Sequence, residues 1–381
     1  MSNSPHDEHW MQQAIMLGQW GAGKTGPNPS VGAVLVKDGR VIAKARTANG
    51  GRPHAEAVLL ESLPFGAAQG ATLYVTLEPC CHYGQTPPCV DLIVRHAIGR
   101  VVIGIRDENP LIQGGGMAQL ESRGIPVIYG VLAEQVRWLH RGFCTRMQYK
   151  RPYVTAKIAT SLDGAIALAN GQSKWITGDN ARKFGHYLRA ENDVIMVGIG
   201  TVLADNPSLD CRIAGLEEFS PQRLIIDRNL RIPLDCQLVQ KAARYPTFLA
   251  TRCQHHDPTQ IQKSKQLIDQ SVRLIRLASL DDETYNPNHV WQELLHCAAE
   301  NEWNHLFIEG GTKVITSAWQ SGVIDSLWWF RAPIVLGHDA LPAINVLGFQ
   351  ELTSISRWQL IEQQYFDHDC AEHYISYNQI P

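Results

Sequence analysis

Two α/β domains in series are what this sequence predicts, and three observations carry that reading. The chain has 381 residues, more than one ordinary hydrophobic core organises. Strand and helix signals alternate through both halves, the pattern of layered α/β folds. Between the halves, "MQYKRP" (147–152) is polar and ends in proline, which reads as a linker. The expected domains are residues 1–148 and 149–381.

In chain order, residues 9–20 fit a helix with Trp10, Ala14 and Leu17 on one face. "VGAVLV" (31–36) is a strand, and "RVIAKA" (40–45) pairs with it across the "KDG" turn. "HAEAVLLES" (54–62) is helical and "ATLYVTL" (71–77) is an apolar strand. "CVDLIVRHA" (89–97) is a helix started by Pro87 and Pro88. "RVVIGI" (100–105) is a strand, a helix and strand follow to "PVIYG", and "LAEQVRWLHRGF" (132–143) is a last helix. The second half carries strands at "YVTAKIAT", "DVIMVG", "RLIID", "TFLAT", "VRLIRL", "HLFIEGG" and "DSLWWFRAPIV". Helices such as "DNARKFGHYLRAE" and "HVWQELLHCAAE" fall between them. The end, "RWQLIEQQYFDHDCAEHYISY", has no helix between its strands and fits an antiparallel hairpin closing the sheet.

Composition narrows the function classes. Hydrophobic residues make up 44 %, as in globular domains. Lys plus Arg is 34 against 37 Asp plus Glu, a net charge of −3, so no basic excess points to nucleic acid as a partner. No apolar stretch approaches the ~18 residues of a membrane span. The N-terminus "MSNSPHDEHW" lacks the pattern of a signal peptide. Nine cysteines, six of them far apart (Cys144, Cys211, Cys236, Cys253, Cys297, Cys370), do not form a disulfide framework. A cytoplasmic location is the expectation, with those six as buried or half-buried thiols.

One stretch is chemically dense: "TLEPCCHYGQTPPC" (76–89) holds three cysteines, a histidine and three prolines. Upstream, "RPHAEAVLL" places His54 and Glu56 at a helix start. One imidazole and the thiolates of Cys80 and Cys89 make three zinc ligands and leave a fourth tetrahedral position open, as catalytic sites do. An H-x-E stretch followed by a proline-preceded cysteine pair resembles the signature of zinc deaminases acting on nucleobases, in which the glutamate is not a ligand. The second cysteine departs from that signature's short spacing: position 83 is Tyr83, so the pattern here is P-C-x8-C. Residues two apart on a helix point ~200° apart, so His54 and Glu56 both face one ion only at the helix mouth. Cys80 and Cys89 are expected at or near helix starts, where thiolates are favoured. The alternative is a closed structural zinc site with Cys81 or His82 as a fourth ligand, which leaves Glu56 without a role.

The motifs "PNPSVGAVLV", "HAEAVLL", "TLEPCCHYGQTPPC" and "DENP" together resemble the deaminase domain of the bifunctional riboflavin-biosynthesis deaminase–reductases. "KIATSLDGAIAL", "SKWITG", "YLRAE", "GTVLADNPSLDCR" and "IEGGTKV" resemble that family's reductase domain. These motifs run in the family's order from residue 27 to about 317. The resemblance implies an N-terminal cytidine-deaminase-like α/β/α domain with a mixed sheet and a C-terminal dihydrofolate-reductase-like α/β domain. It implies two reactions. Zinc-dependent hydrolysis removes an exocyclic amine from 2,5-diamino-6-(5-phosphoribosylamino)pyrimidin-4(3H)-one. NADPH then reduces the ribosyl chain of 5-amino-6-(5-phosphoribosylamino)uracil. By the same resemblance His54, Cys80 and Cys89 hold Zn2+, Glu56 moves protons, and Asn28, His82 and Thr86 face the substrate. Cys81 stands where the family commonly has serine, and Gln85 where it usually has Arg or Lys.

The reductase half is less specific by itself. "GIGT" (198–201) and "EGGT" (309–312) are glycine-rich turns after expected strands, able to bring backbone close to a cofactor phosphate. Neither is a G-x-G-x-x-G fingerprint, and alone each is an ordinary turn. Under the resemblance, Thr160, Trp175, Thr177, Thr201, Asp205, Gly311 and Thr312 contact NADPH. Ser173, Arg189, Leu209, Arg212 and Glu309 contact substrate, and the arginines suit a phosphate ester. Asp205 is the first choice for the group that tunes proton delivery, with Lys157 and Glu309 as the other candidates. The resemblance also implies a homodimer. Rival readings are a deaminase of a free base, nucleoside or tRNA adenosine, an enzyme with one decayed half, and a zinc-stabilised binding module.

Overall fold

In the computed structural model, which describes residues 4–84, 87–110, 112–252, 257–281 and 286–376, the chain divides after Lys150 into the units Met1–Lys150 and Arg151–Pro381. Among the described residues the N-terminal unit has strands β1 (Gly32–Lys37), β2 (Arg40–Arg46), β3 (Thr72–Leu77), β4 (Arg100–Ile105) and β5 (Val127–Tyr129). They form one sheet in the order β2-β1-β3-β4-β5. The β1–β2 hairpin is antiparallel, β1 pairs antiparallel with β3, and β3, β4 and β5 run parallel. Helix α1 (Pro5–Gln19) packs on β1 and β3; α2 (Ala55–Glu61) and α3 (Cys89–Arg95) pack together, and α3 touches α4 (Gly115–Ser122). Ser4 caps α1 and Pro5 opens it, the pairing expected of a helix start. A buried ionic contact ties that helix to the sheet. Asp7 accepts from Tyr74 Oη at 2.7 Å and from Arg100 Nη2 at 2.6 Å.

The helix expected over 132–143 is two helices, α5 (Ala133–Leu139) and α6 (Arg141–Tyr149). The break is at His140, which is buried with its Nε2 3.0 Å from Thr76 Oγ1 on β3. Holding the ring against the sheet turns the backbone (φ −96°, ψ 14°), and the helix restarts one residue later. Residues 147–149 are therefore helical rather than a linker. Their exposed polar turn imitates one, and the helix ends where Lys150 adopts a left-handed conformation at φ 54°.

The C-terminal unit has strands β6 (Tyr153–Thr160), β7 (Ala165–Ala167), β8 (Val194–Gly198), β9 (Gln222–Ile226), β10 (Thr247–Arg252), β11 (Val272–Leu277), β12 (His305–Ile308), β13 (Ser326–Arg331), β14 (Leu341–Pro342), β15 (Trp358–Phe366) and β16 (Asp369–Ser376). The main sheet runs β11-β10-β9-β8-β12-β6-β13-β16-β15. Its first seven strands are parallel, and the β15–β16 hairpin closes it antiparallel, as the sequence predicts. The small β7–β14 pair is an element the pattern does not announce: it is too short for a period to show. Buried carboxylates clamp the strand starts. Asp325 accepts two hydrogen bonds from Arg151, at 2.6 and 2.7 Å, and a third from Val154 N–H at 2.7 Å. Parallel strands leave their carboxyl ends free for loops, which is where ligand sites form in open α/β sheets.

Among the described residues no helix is long and apolar enough to cross a membrane. Cys144, Cys211 and Cys236 are buried free thiols, Cys297 and Cys370 are half-buried, and Cys253 lies outside the described residues.

Candidate active sites

The N-terminal site is assembled at helix mouths. His54 is the residue that precedes α2, in extended conformation (φ −65°, ψ 159°), so its ring is free of the helical period. Glu56 lies inside the first turn and shares the buried face with Leu59 and Leu60, three and four residues on. That is how H-x-E brings both groups to one place. Cys89 is the first residue of α3, as expected. Cys80 corrects the expectation, because it lies in the loop after β3 rather than at a helix start. Its sulfur instead accepts the Cys89 backbone N–H at 3.3 Å.

His54 Nδ1 stands 3.6 Å from Cys80 Sγ and 3.5 Å from Cys89 Sγ. Zinc bonds of about 2.0 Å to nitrogen and 2.3 Å to sulfur, at a tetrahedral angle, set those atoms about 3.5 Å apart. The donor set therefore fits a zinc ion. Among the described residues this is the one cluster of His, Cys, Asp or Glu with that arrangement. Cys81 is outside it, its sulfur 4.0 Å from the Ile112 carbonyl, and His82 is outside it too. A closed four-ligand site is not what the chain builds.

The hydrogen bond between the two thiols, with His54 beside them, pulls Cys80 down to about 4 against its burial. The same hydrogen bond and burial push Cys89 up. A divalent ion held there would take both sulfurs as thiolates. Burial pushes the Glu56 carboxyl up to about 7, with His54 opposing.

Around this centre the cavity is lined by Asn28, Arg52, His82, Glu78, Asp107, Asn109 and Phe143 among others. Asn28 and His82 thus meet the centre as expected, while Thr86 and Gln85 lie outside the described residues. Glu78 and Asp107 are additions that the sequence reading left without a role. Glu78 accepts N–H bonds from Asp107, Gly114 and Met117 at 3.0–3.2 Å, which fastens the loop after β4 to the loop after β3. Burial pushes Asp107 up to about 7. A carboxylate one or two residues past a buried parallel strand was the available signal for both.

In the C-terminal unit one cavity gathers Lys157, Ser173, Trp175, Thr177, Arg182, His186, Arg189, Arg212 and Glu309. Glu309 follows β12 and accepts from Arg189 Nε at 2.7 Å, with Lys157 Nζ 3.6 Å away. Burial raises the Glu309 carboxyl, but Arg189 and Lys157 outweigh it and hold it at about 2. Arg189 also donates to the Asp210 carbonyl at 2.9 Å. Trp175 is 66 % exposed, so core packing does not account for it, and the Arg182 guanidinium lies 4.2 Å over its ring. Arg182 and His186 are further residues the sequence did not single out; helical neighbours of Arg189 carry no local mark.

Six expected contacts lie off this cavity: Thr160, Leu209, Asp205, Thr201, Gly311 and Thr312. Thr160 is buried and accepts from the Trp329 indole at 2.9 Å. Leu209 is in the core. Asp205, the first choice for proton delivery, ends the helix Ile199–Asp205 and sits 4.0 Å from Lys174 Nζ; it does not line the cavity. Thr201 lies beside the Gly311 turn. Gly311 has φ 79° and opens the helix Thr312–Gln320, and a Cβ there would meet Thr201 Oγ1 at 3.1 Å. That glycine-lined opening fits a cofactor phosphate.

Comparison with known proteins identifies both domains. The cytidine and deoxycytidylate deaminase zinc-binding region matches residues 4–105, and the RibD C-terminal domain matches residues 152–371. The chain is 39 % identical to the riboflavin biosynthesis protein RibD of Actinobacillus pleuropneumoniae, over 97 % of this chain and 95 % of that one. It is 33 % identical to its Escherichia coli counterpart over 97 % and 99 %. A solved Acinetobacter baumannii RibD superposes with a TM-score of 0.85 at 33 % identity, covering 97 % of this chain and 99 % of that one. The Thermotoga maritima structure is described as a diaminohydroxyphosphoribosylaminopyrimidine deaminase/5-amino-6-(5-phosphoribosylamino)uracil reductase. It gives a TM-score of 0.83 at 34 % identity, over 97 % and 99 %. With a deaminase zinc-binding region in its first unit and a reductase domain in its second, the chain belongs to the RibD family of riboflavin biosynthesis proteins.

Proposed function

We propose that the two cavities act in series on one phosphoribosyl pyrimidine. The first hydrolyses an amine from 2,5-diamino-6-(5-phosphoribosylamino)pyrimidin-4(3H)-one. The second uses NADPH to reduce the ribosyl chain of the deaminated product. The observation that carries this is the His54–Cys80–Cys89 donor set with the non-ligand carboxyl of Glu56 buried beside it. His54, Cys80 and Cys89 would hold zinc, which when bound would supply a Lewis acid that lowers the pKa of water towards neutrality. Glu56 takes the proton from the attacking water and delivers it to the departing amine. Asn28 and Asn109 line the same cavity and orient the ring. Burial of Glu56 keeps bulk water from competing for that proton.

In the second cavity NADPH supplies the hydride. We assign its binding to Trp175 and Thr177 in that cavity and to Thr201, Gly311 and Thr312 at the glycine-lined opening. Arg189 and Arg212 hold the substrate phosphate. We assign delivery of the accompanying proton to Lys157 Nζ, because Lys157 and its partner Glu309 line the cavity whereas Asp205 does not. Burial pushes the Lys157 ammonium down, which makes it a better acid.

The test follows both reactions in one sample. Zinc-loaded protein receives the diaminopyrimidine ribotide, and ammonia release and NADPH oxidation are recorded beside a Glu56→Gln variant. Ammonia first, NADPH consumption second, and neither in the variant is the expected result. NADPH oxidation without ammonia, or ammonia release by the variant at the wild-type rate, would sink the proposal.

A further inference from the structure

The N-terminal cavity has a charge problem. A phosphate ester carries about −1.5 to −2 charges near neutral pH. The cavity wall holds the carboxyls of Glu56, Glu78 and Asp107. The loop that carries His82, "CHYGQTPPC", contributes no Lys or Arg. Among the described lining residues, Arg52 alone bears a permanent positive charge.

Arg52 is also held in place by its backbone. The Gly51 carbonyl before it accepts from Asn28 Nδ2 at 2.9 Å, and the Pro53 carbonyl after it accepts from Ala48 N–H at 3.1 Å. Gly51 has φ 84°, and a Cβ there would lie 2.4 Å from the Thr25 carbonyl oxygen, so the loop closes this tightly only with glycine. Asn28 lines the cavity as well. The amide proposed to orient the ring and the loop bearing the guanidinium are thus one hydrogen-bonded unit. The side chain of Arg52 is half-buried, so part of its hydration is already removed. A planar fork of N–H donors on a fixed loop is suited to a phosphate, whereas a carboxylate wall is not.

We propose that Arg52 is the phosphate anchor of the deaminase cavity and sets its preference for the ribotide over the phosphate-free riboside. This rests on the proposed deaminase reading of the same site.

The experiment measures ammonia release from the ribotide and from the riboside by wild type, Arg52→Met and Arg52→Lys, with zinc content determined for each. Arg52→Met should raise KM for the ribotide by on the order of 10- to 100-fold, the worth of a charged hydrogen-bonded contact. The ribotide-over-riboside preference should collapse by a similar factor, with zinc retained and Arg52→Lys intermediate. An unchanged ribotide KM, or equal losses on both compounds, overturns the anchor and leaves the deaminase reading standing. Should Arg52→Met fail to fold, the wild type decides the matter. Inorganic phosphate should compete with the ribotide for ammonia release and not with the riboside, and absence of that competition overturns the anchor. A zinc-loaded wild type that deaminates neither compound overturns the deaminase reading, and the anchor with it.

Discussion

Glu56 and Glu309 are the same residue type, both line cavities, the first buried and the second half-buried, and their carboxyls move in opposite directions. Burial pushes Glu56 up to about 7. Burial acts on Glu309 in the same sense, yet Arg189 and Lys157 bring it down to about 2. Partners, not depth, decide the protonation state. The contrast extends to the cavities. The first sets three carboxyls around the zinc donors with one guanidinium. The second sets Lys157, Arg182, Arg189 and Arg212 around one carboxylate. A site that shuttles protons gains from carboxyls near neutrality, whereas a site that admits two anions, substrate and dinucleotide, gains from excess positive charge.

The largest expected effect tests the first glutamate. Glu56→Gln should lower the ammonia-release rate by on the order of 10²- to 10⁴-fold, the usual worth of general acid–base catalysis. Zinc content and NADPH oxidation with the deaminated ribotide should stay at wild-type levels. Zinc loss would mean that Glu56 serves the metal instead.

Removing the partner of the second glutamate should make it behave like the first. Arg189→Met leaves the Glu309 carboxylate, 13 % exposed, with Lys157 alone. Unfolding of the C-terminal unit should become easier by roughly 3 kcal/mol, as when one member of a buried pair is lost. An equal denaturation midpoint for variant and wild type would show that the pair carries no net charge stabilisation.

The pH dependence of stability gives a related measurement. The folded Glu309 value lies below its ordinary 4.5, so its contribution is complete above about 4.5 and is lost as pH falls from there towards about 2. The contribution is roughly 3 kcal/mol. Denaturant titrations from about pH 6 to about pH 2, which span that window, should show a steeper loss in wild type than in Glu309→Gln. Parallel curves would remove Glu309 from the account.

Smaller still is the tie of α1 to its sheet. Asp7→Asn weakens the contact with Arg100, whose side chain is 32 % exposed, and keeps a partner for Tyr74. A loss of about 1 kcal/mol in the N-terminal unit is expected by thermal denaturation. At the bottom of the scale, Cys81→Ser should leave zinc content and ammonia release unchanged, because the Cys81 sulfur faces the Ile112 carbonyl and not the metal donors.

The N-terminal site was largely legible because its groups lie close in sequence and in distinctive types. His54 and Glu56 share one helix mouth, and Cys80 and Cys89 flank one loop. The reductase cavity was legible mainly through family resemblance. Its groups come from β6, the turn at 173–177, the helix Asp179–Ala190 and the end of β12, and no local period joins them. Asp205 shows the difficulty: an acid beside a glycine-rich turn looks catalytic in the sequence, yet it does not line the cavity and instead sits 4.0 Å from Lys174, which stands in the chain between the lining residues Ser173 and Trp175.

By itself the sequence determined the alternation of strands and helices, the closing hairpin, the zinc donors and the non-ligand glutamate. Each depends on periodicity or on a residue type whose chemistry is nearly unique. Tertiary structure alone decided that His140 would break a helix by reaching Thr76, that Glu78 would fasten the loop of Asp107, and that one cavity glutamate would be pushed up while another was held down. Those outcomes depend on burial and on charges brought together from distant positions, and electrostatic energy follows distance in space, not along the chain.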